Sequence, residues 1–125
     1  MSENKEYVSR SDELGNIHIS EEVLAAIAAA ATLEVEGVHA LSANLGSDLA
    51  ELLGKKHLTK GIQITMEEDR VKVDLSILMS YGHIIPEVGK AVQENVKTTM
   101  ESITGLDIAA VNVSVAGVVF PPKQA

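Results

Sequence analysis

The chain contains no cysteine. Disulfides, thiol nucleophiles, Cys-ligated zinc and iron–sulfur clusters are thereby excluded together. Aromatic residues are scarce: there is no Trp, one Phe and two Tyr among 125 residues. The core must therefore be filled by Ala, Val, Ile and Leu, a composition that suits a sheet covered by helices. Base stacking has almost no platform. Positive charge is also short, with ten Lys and Arg against eighteen Asp and Glu and a formal net charge of −8. Neutralising phosphates requires clustered cations, so nucleic-acid binding is not expected. Direct adsorption to anionic lipid is disfavoured for the same reason. The longest apolar stretch, Leu24 to Leu33, has ten residues with Thr32 inside it. That is about half of the ~20 a membrane-spanning helix needs. The N-terminal MSENKEYVSRSDELG is polar and lacks the apolar segment of a signal peptide. Together these absences predict a cytoplasmic protein with no membrane span.

What is present reads as one domain. Residues 1–14 are charged and poor in apolar side chains, which predicts a flexible N-terminal arm. A domain over 15–120 follows, then a tail over 121–125. A short strand is expected at Ile17–Ile19, then a helix over 20–35. Ser20 is placed to cap that helix, and Glu21 and Glu22 sit in its first turn, where carboxylates suit the helix dipole. Val23, Ile27, Ala30 and Ala31 share a face and are the expected buried stripe. Gly37 ends the helix or opens a short extended piece, Val38 to Leu41. Leu45, Leu49, Leu52 and Leu53 have helical spacing and predict a short amphipathic helix.

Alternation is strictest from Gly61 onward. Ile62, Ile64 and Met66 alternate with Gln63 and Thr65. Glu67–Arg70 lacks the Asn-Gly signal of a tight hairpin, so a loop of at least four residues is expected. Val71, Val73, Leu75, Ile77 and Met79 then share one face of a half-buried antiparallel strand. Pro86 fits the first turn of a helix over 84–104, and Gly105 fits its left-handed stop. Ile85, Val88, Val92, Val96, Met100 and Ile103 are its expected buried stripe. A last strand starts at Ile108 and runs Val- and Ala-rich to Val118. It is either an edge strand offering a surface to a partner or a second copy, or a central strand buried on both sides. The fold class expected is α+β, a two-layer sandwich with a mainly antiparallel sheet and two main helices on one face.

Motifs for chemistry are missing. His18, His39, His57 and His83 stand singly, without HxH or HExxH spacing, and are better read as surface or strand-end histidines than as metal ligands. Glu67, Glu68 and Asp69 lack an EF-hand pattern and read as a solvated turn rather than a calcium site. No G-x-S-x-G elbow, G-x-G-x-x-G or P-loop occurs. No catalytic residue, cofactor or metal is predicted. The candidate partner-binding residues are Tyr81 and His83 in the strand-to-helix corner, Lys55 and Lys56 in the basic cluster, and Ala116 on the last strand. For the corner, turn chemistry alone favours a structural role, with Gly82 making the turn and Pro86 starting the helix. For the lysines, a solvated linker is the simpler reading.

Two segments carry a resemblance. GNIHISEEVLAAIAAAATLEVEGVHAL, followed by VDLSILMSYGHIIPEVGKAVQENVKTTMESITGLDIAAVNVSVAGVVF, resembles the alkaline shock protein family of Gram-positive bacteria. The most specific parts are YG-x-x-IPEV, the VQ-x-x-V-K helix, and TGL followed by VNV-x-V-x-GV-x-F. Position 89 is Gly where a small residue such as Ala is expected. The resemblance implies a cytoplasmic, non-enzymatic envelope stress response protein that works by protein–protein interaction. Some members gather at the inner face of the membrane through a membrane-anchored partner. Others are linked to control of acetyl-CoA carboxylase in fatty acid synthesis, a branch that LGKKHLTKGIQI resembles. A homo-oligomer and a small-ligand-binding domain are the other readings held open. The resemblance brings no catalytic residues with it.

Overall fold

The computed structural model describes residues 7–42 and 61–122. The basic cluster with Lys55 and Lys56 and the expected leucine helix lie outside these residues. The described elements run β1 (Tyr7–Asp12), β2 (Gly15–Ser20), α1 (Glu21–Leu33), β3 (Val38–Leu41), β4 (Ile62–Glu67), β5 (Arg70–Ser80), α2 (Ile85–Thr104) and β6 (Ile108–Val119). The class is α+β, as expected.

β5 organises the main sheet. On one edge β6 runs parallel to it over its whole length, from Val71↔Ile108 to Ser80↔Val119. The other edge is shared end to end by two antiparallel strands. β4 pairs from Glu67↔Arg70 to Ile62↔Leu75, and β3 takes over from Leu41↔Ile77 to Val38↔Met79. Ser76 sits at the changeover. Its N–H donates to the Gly61 carbonyl at 2.9 Å and its carbonyl accepts from the Ser42 N–H at 2.8 Å. The parallel β5–β6 pair needs a crossover, and α2 supplies it.

The alternation of β5 places Val71, Val73, Leu75, Ile77 and Met79 on the helix-covered face, all buried. Opposite them lie Val88, Val92, Val96 and Met100 of α2, spaced strictly by four, with Leu24, Ala28 and Ala31 of α1. Burying each of the larger aliphatic side chains contributes about 1.5–3 kcal/mol. The helix ends follow their sequence signals. The Val23 N–H donates to Ser20 Oγ at 3.2 Å, and Gly105 closes α2 at φ 75°. Two buried hydroxyls are satisfied within their own helices: Thr32 Oγ1 donates to the Ala28 carbonyl and Thr104 Oγ1 to the Met100 carbonyl.

Several expectations are corrected. The N-terminal segment is not an arm throughout, because Tyr7–Asp12 pair with Gly15–Ser20 as a separate two-stranded hairpin. Val8 is 3% exposed and belongs to the core, while Arg10 Nη1 donates to the Gly105 carbonyl at 3.2 Å. One buried valine and one long-range hydrogen bond anchor a segment whose composition looks disordered. The α1 stripe is also rotated. Leu24, Ala25, Ala28, Ala29, Ala31 and Thr32 are buried, whereas Val23 and Ala30 face outward and Ile27 is half-buried. At the ends of α2, Ile85 and Ile103 are exposed and Thr104 continues the buried row. The β4–β5 turn has only two residues, Glu68 and Asp69, at φ 51° and 75°. The two positive angles match the right-handed twist of the strands they join.

Candidate interaction surface

The strand-to-helix corner is where sequence and structure meet most closely. β5 ends at Ser80, and the Tyr81 N–H donates to the Val119 carbonyl at 2.9 Å, so Tyr81 extends the ladder by one bond. Phe120 follows Val119 directly. This brings the two rings together: Tyr81 and Phe120 stack with centroids 4.6 Å apart and planes at 27°. The rings stand in the open, 61% and 63% exposed respectively. Ile84 and Ile85, also exposed, follow in the next turn of chain. All three aromatic residues of the chain stand at the surface, and two of them, Tyr81 and Phe120, are stacked on each other.

His83 is exposed and packs over Gly37. A Cβ on Gly37 would lie 2.7 Å from Val88 Cγ2 and 3.2 Å from His83 Cγ. With φ 103°, Gly37 is required both by the backbone and by this close approach. His83 therefore sits where α1 hands over to β3, next to the start of α2.

Ala116 is exposed and unpaired. The β5–β6 register passes from Ile77↔Val115 to Leu78↔Gly117, leaving Ala116 as the extra residue of a bulge. Ala109 is skipped in the same way near the start of the strand. β6 hydrogen-bonds no strand but β5 among the described residues, so it is an edge strand. α2 covers the beginning of that edge. Gln93 Nε2 donates to the Val111 carbonyl at 2.9 Å, and Lys97 Nζ donates to the Ile108 carbonyl at 3.3 Å. The Ile108 N–H donates to Glu101 Oε2 at 3.0 Å. Gln93, Lys97 and Glu101 are successive i, i+4 positions on one helix face, and they take the place of a neighbouring strand. The hydrogen bond from Lys97, followed by that from the Ile108 N–H, holds the Glu101 carboxyl below its ordinary value of 4.5.

The structure therefore joins Tyr81 to a residue that sequence reasoning did not select, Phe120, and places Ala116 four residues before it on β6. His83 lies apart, over Gly37. Phe120 was detectable as the single Phe of the chain, but its ring partner depends on a strand pairing that periodicity does not specify. Among the described residues no group of three or more His, Asp and Glu is arranged to hold a metal ion. Among the same residues no helix is long and apolar enough to cross a membrane.

The matches to known proteins follow this architecture from the hairpin to Phe120. The uncharacterized Bacillus subtilis (strain 168) protein YqhY is 33% identical over 110 residues, covering 88% of this chain and 82% of the relative. The uncharacterized protein YloU of the same organism is 35% identical over 106 residues, covering 83% and 88%. The uncharacterized Streptococcus pyogenes (serotype M6) protein Spy1535 is 36% identical over 110 residues, covering 87% and 83%. No solved structure matches the chain. A family model described by its cell envelope-related function matches residues 9–120, and the chain belongs to that family, the alkaline shock proteins.

Proposed function

We propose that this protein is a non-catalytic protein-interaction scaffold in a cell-envelope stress response, held at the inner face of the membrane through a partner. The coarse part of this reading, an envelope-related role, comes with the family. The observation that carries the finer part is the exposed Tyr81–Phe120 stack. Aromatic rings concentrate in the energetically dominant centres of protein interfaces, where they bury large area at little conformational cost. A chain with three aromatics that leaves two stacked in solvent has a surface whose cost is offset when a partner covers it.

The test is crosslinking in the native cell followed by capture of the protein, with Phe120→Ala and Tyr81→Ala as controls. Recovery of a membrane-anchored protein by the parent, lost in both variants while the fold is retained, supports the reading. Recovery of an acetyl-CoA carboxylase subunit in its place redirects the function to fatty acid synthesis. Partner recovery unaffected by either variant removes the stack from the interface.

A further inference from the structure

α1 is apolar on both sides. Its inner arc is buried, yet its outer face carries Val23, Ala26, Ala30 and Leu33, spaced three and four apart along one line. Val23 is 48% and Leu33 51% exposed. No charged residue occurs between Glu22 and Glu34, in a chain where 22% of residues are charged. A surface helix ordinarily carries its polar residues on the solvent side, and a helix apolar all round is ordinarily covered all round. The outer face is bracketed by carboxylates, Glu22 at one end and Glu34 and Glu36 at the other. Glu34 accepts a hydrogen bond from Asn95 Nδ2 at 3.2 Å. Among the described residues no Lys or Arg pairs with any of the three.

We propose that the outer face of α1 docks an amphipathic helix of a partner protein, one whose apolar stripe is flanked at both ends by Lys or Arg. The alanines let a second helix approach closely, Val23 and Leu33 supply the larger contacts, and the bracketing carboxylates select basic flanks. A second copy of this chain fits poorly. Antiparallel pairing sets Glu22 against Glu34 and Glu36 of the other copy, and parallel pairing sets like against like. The inference rests on the scaffold reading and adds to it a second surface and the chemistry of its occupant.

The probe is a labelled helical peptide of roughly 18 residues with a Leu/Ala stripe and Lys-Arg pairs at each end, compared with the same stripe ended by Glu pairs. Fluorescence anisotropy against the full chain should show the basic-flanked peptide binding at least about tenfold tighter, with the difference lost in high salt. Ala30→Gln, which keeps the helix, should weaken binding about fivefold or more, while Phe120→Ala leaves it unchanged. Equal affinity for the two peptides, or indifference to Ala30→Gln, overturns the proposal. So does a concentration-dependent dimer in sedimentation that Ala30→Gln abolishes. A photo-crosslinking residue placed at Ala30 or at Phe120 in cells separates this inference from the reading beneath it. Adducts at Ala30 that map to a basic-flanked helix support it, and adducts there that map to any other segment refute it. Adducts at Phe120 alone remove the α1 surface and leave the scaffold, and adducts at neither position remove both.

Discussion

Gln93 and Val111 are tied across the two layers: the side-chain amide donates to the backbone carbonyl at 2.9 Å. With Lys97 and Glu101 on Ile108, this makes α2 the neighbour that the start of β6 otherwise lacks. Unpaired strand edges invite adventitious pairing, and natural proteins cover them with helices or distort them with bulges. β6 shows both devices, and it carries no charged residue of its own. Gln93→Leu keeps the volume and removes the donor. The expected loss is about 1 kcal/mol, read as a fall of about 4 °C in Tm for a domain of this size. An unchanged Tm would show that water serves Val111 equally well.

Glu101 gives this cap a pH dependence. Its folded carboxyl titrates below its ordinary value of 4.5, chiefly through the hydrogen bond from Lys97. The stabilisation is therefore fully present above that ordinary value and is lost as pH falls through the folded value. Glu101→Gln should lower the urea midpoint at neutral pH, and the gap to the parent should close on acidification. A gap that stays constant between about pH 7 and pH 3 would exclude the carboxylate as its source.

Removal of residues 1–14 should destabilise the domain. Such a chain loses the buried Val8, the whole β1 ladder and the Arg10 contact to Gly105. Val8 alone accounts for about 1.5–3 kcal/mol, so a truncation starting at Gly15 should melt many degrees below the parent. Full retention of Tm would mean that the hairpin is dispensable.

Charge placed on the two sides of the helix layer should discriminate them sharply. Val92 is fully buried, and Val92→Asp leaves an unpaired carboxylate in the core, enough to unfold a marginally stable domain. Ile103 is 63% exposed, and Ile103→Asp, which sets a carboxylate in the last turn of α2, should cost no more than about 1 kcal/mol. Circular dichroism of the two variants settles the assignment.

The β4–β5 turn can be improved. Glu68 and Asp69 both adopt positive φ, which costs a residue with a Cβ about 1–2 kcal/mol. Asp69→Gly, or the pair Glu68→Asn with Asp69→Gly, should raise Tm. A lower Tm would indicate that these side chains make contacts worth more than the relief of strain.

The order of elements in the C-terminal half, and the buried faces of β5 and of the middle of α2, were legible in the sequence from the spacing of apolar residues. β5 alternates with Leu78 as its one exception, and α2 carries valines and a methionine every fourth residue among charged neighbours. α1 defeated the same reasoning, since alanine stands on every side and Val23 and Leu24 compete for the core. β1 was hidden because its anchors, Val8 and Arg10, act on residues distant in sequence. The tight turn was missed because Glu-Asp is a poor substitute for Asn-Gly, a local cost that the strong β4–β5 pairing overrides. Phe120 and the Gln93–Lys97–Glu101 row depend on which strand lies beside which. A row of polar residues on a helix face reads equally well as solvated until the neighbouring backbone is known.

The changeover at Ser76 has a consequence for how the chain tolerates length. Ser42 and Gly61 hydrogen-bond the same residue of β5, and a Cβ on Gly61 would lie 2.7 Å from the Ser42 carbonyl oxygen. Ser42 and Gly61 thus meet the sheet at a single point, like two roads at one junction. Whatever is spliced between those two residues leaves the register of both neighbouring strands untouched. Its closure entropy grows only by about 0.6 kcal/mol for each doubling of length. Gly61 is the pin of this junction: its φ of 86° and its close approach to Ser42 leave no room for a side chain, so a change of chain length between the two strands has one fixed point at which it must close.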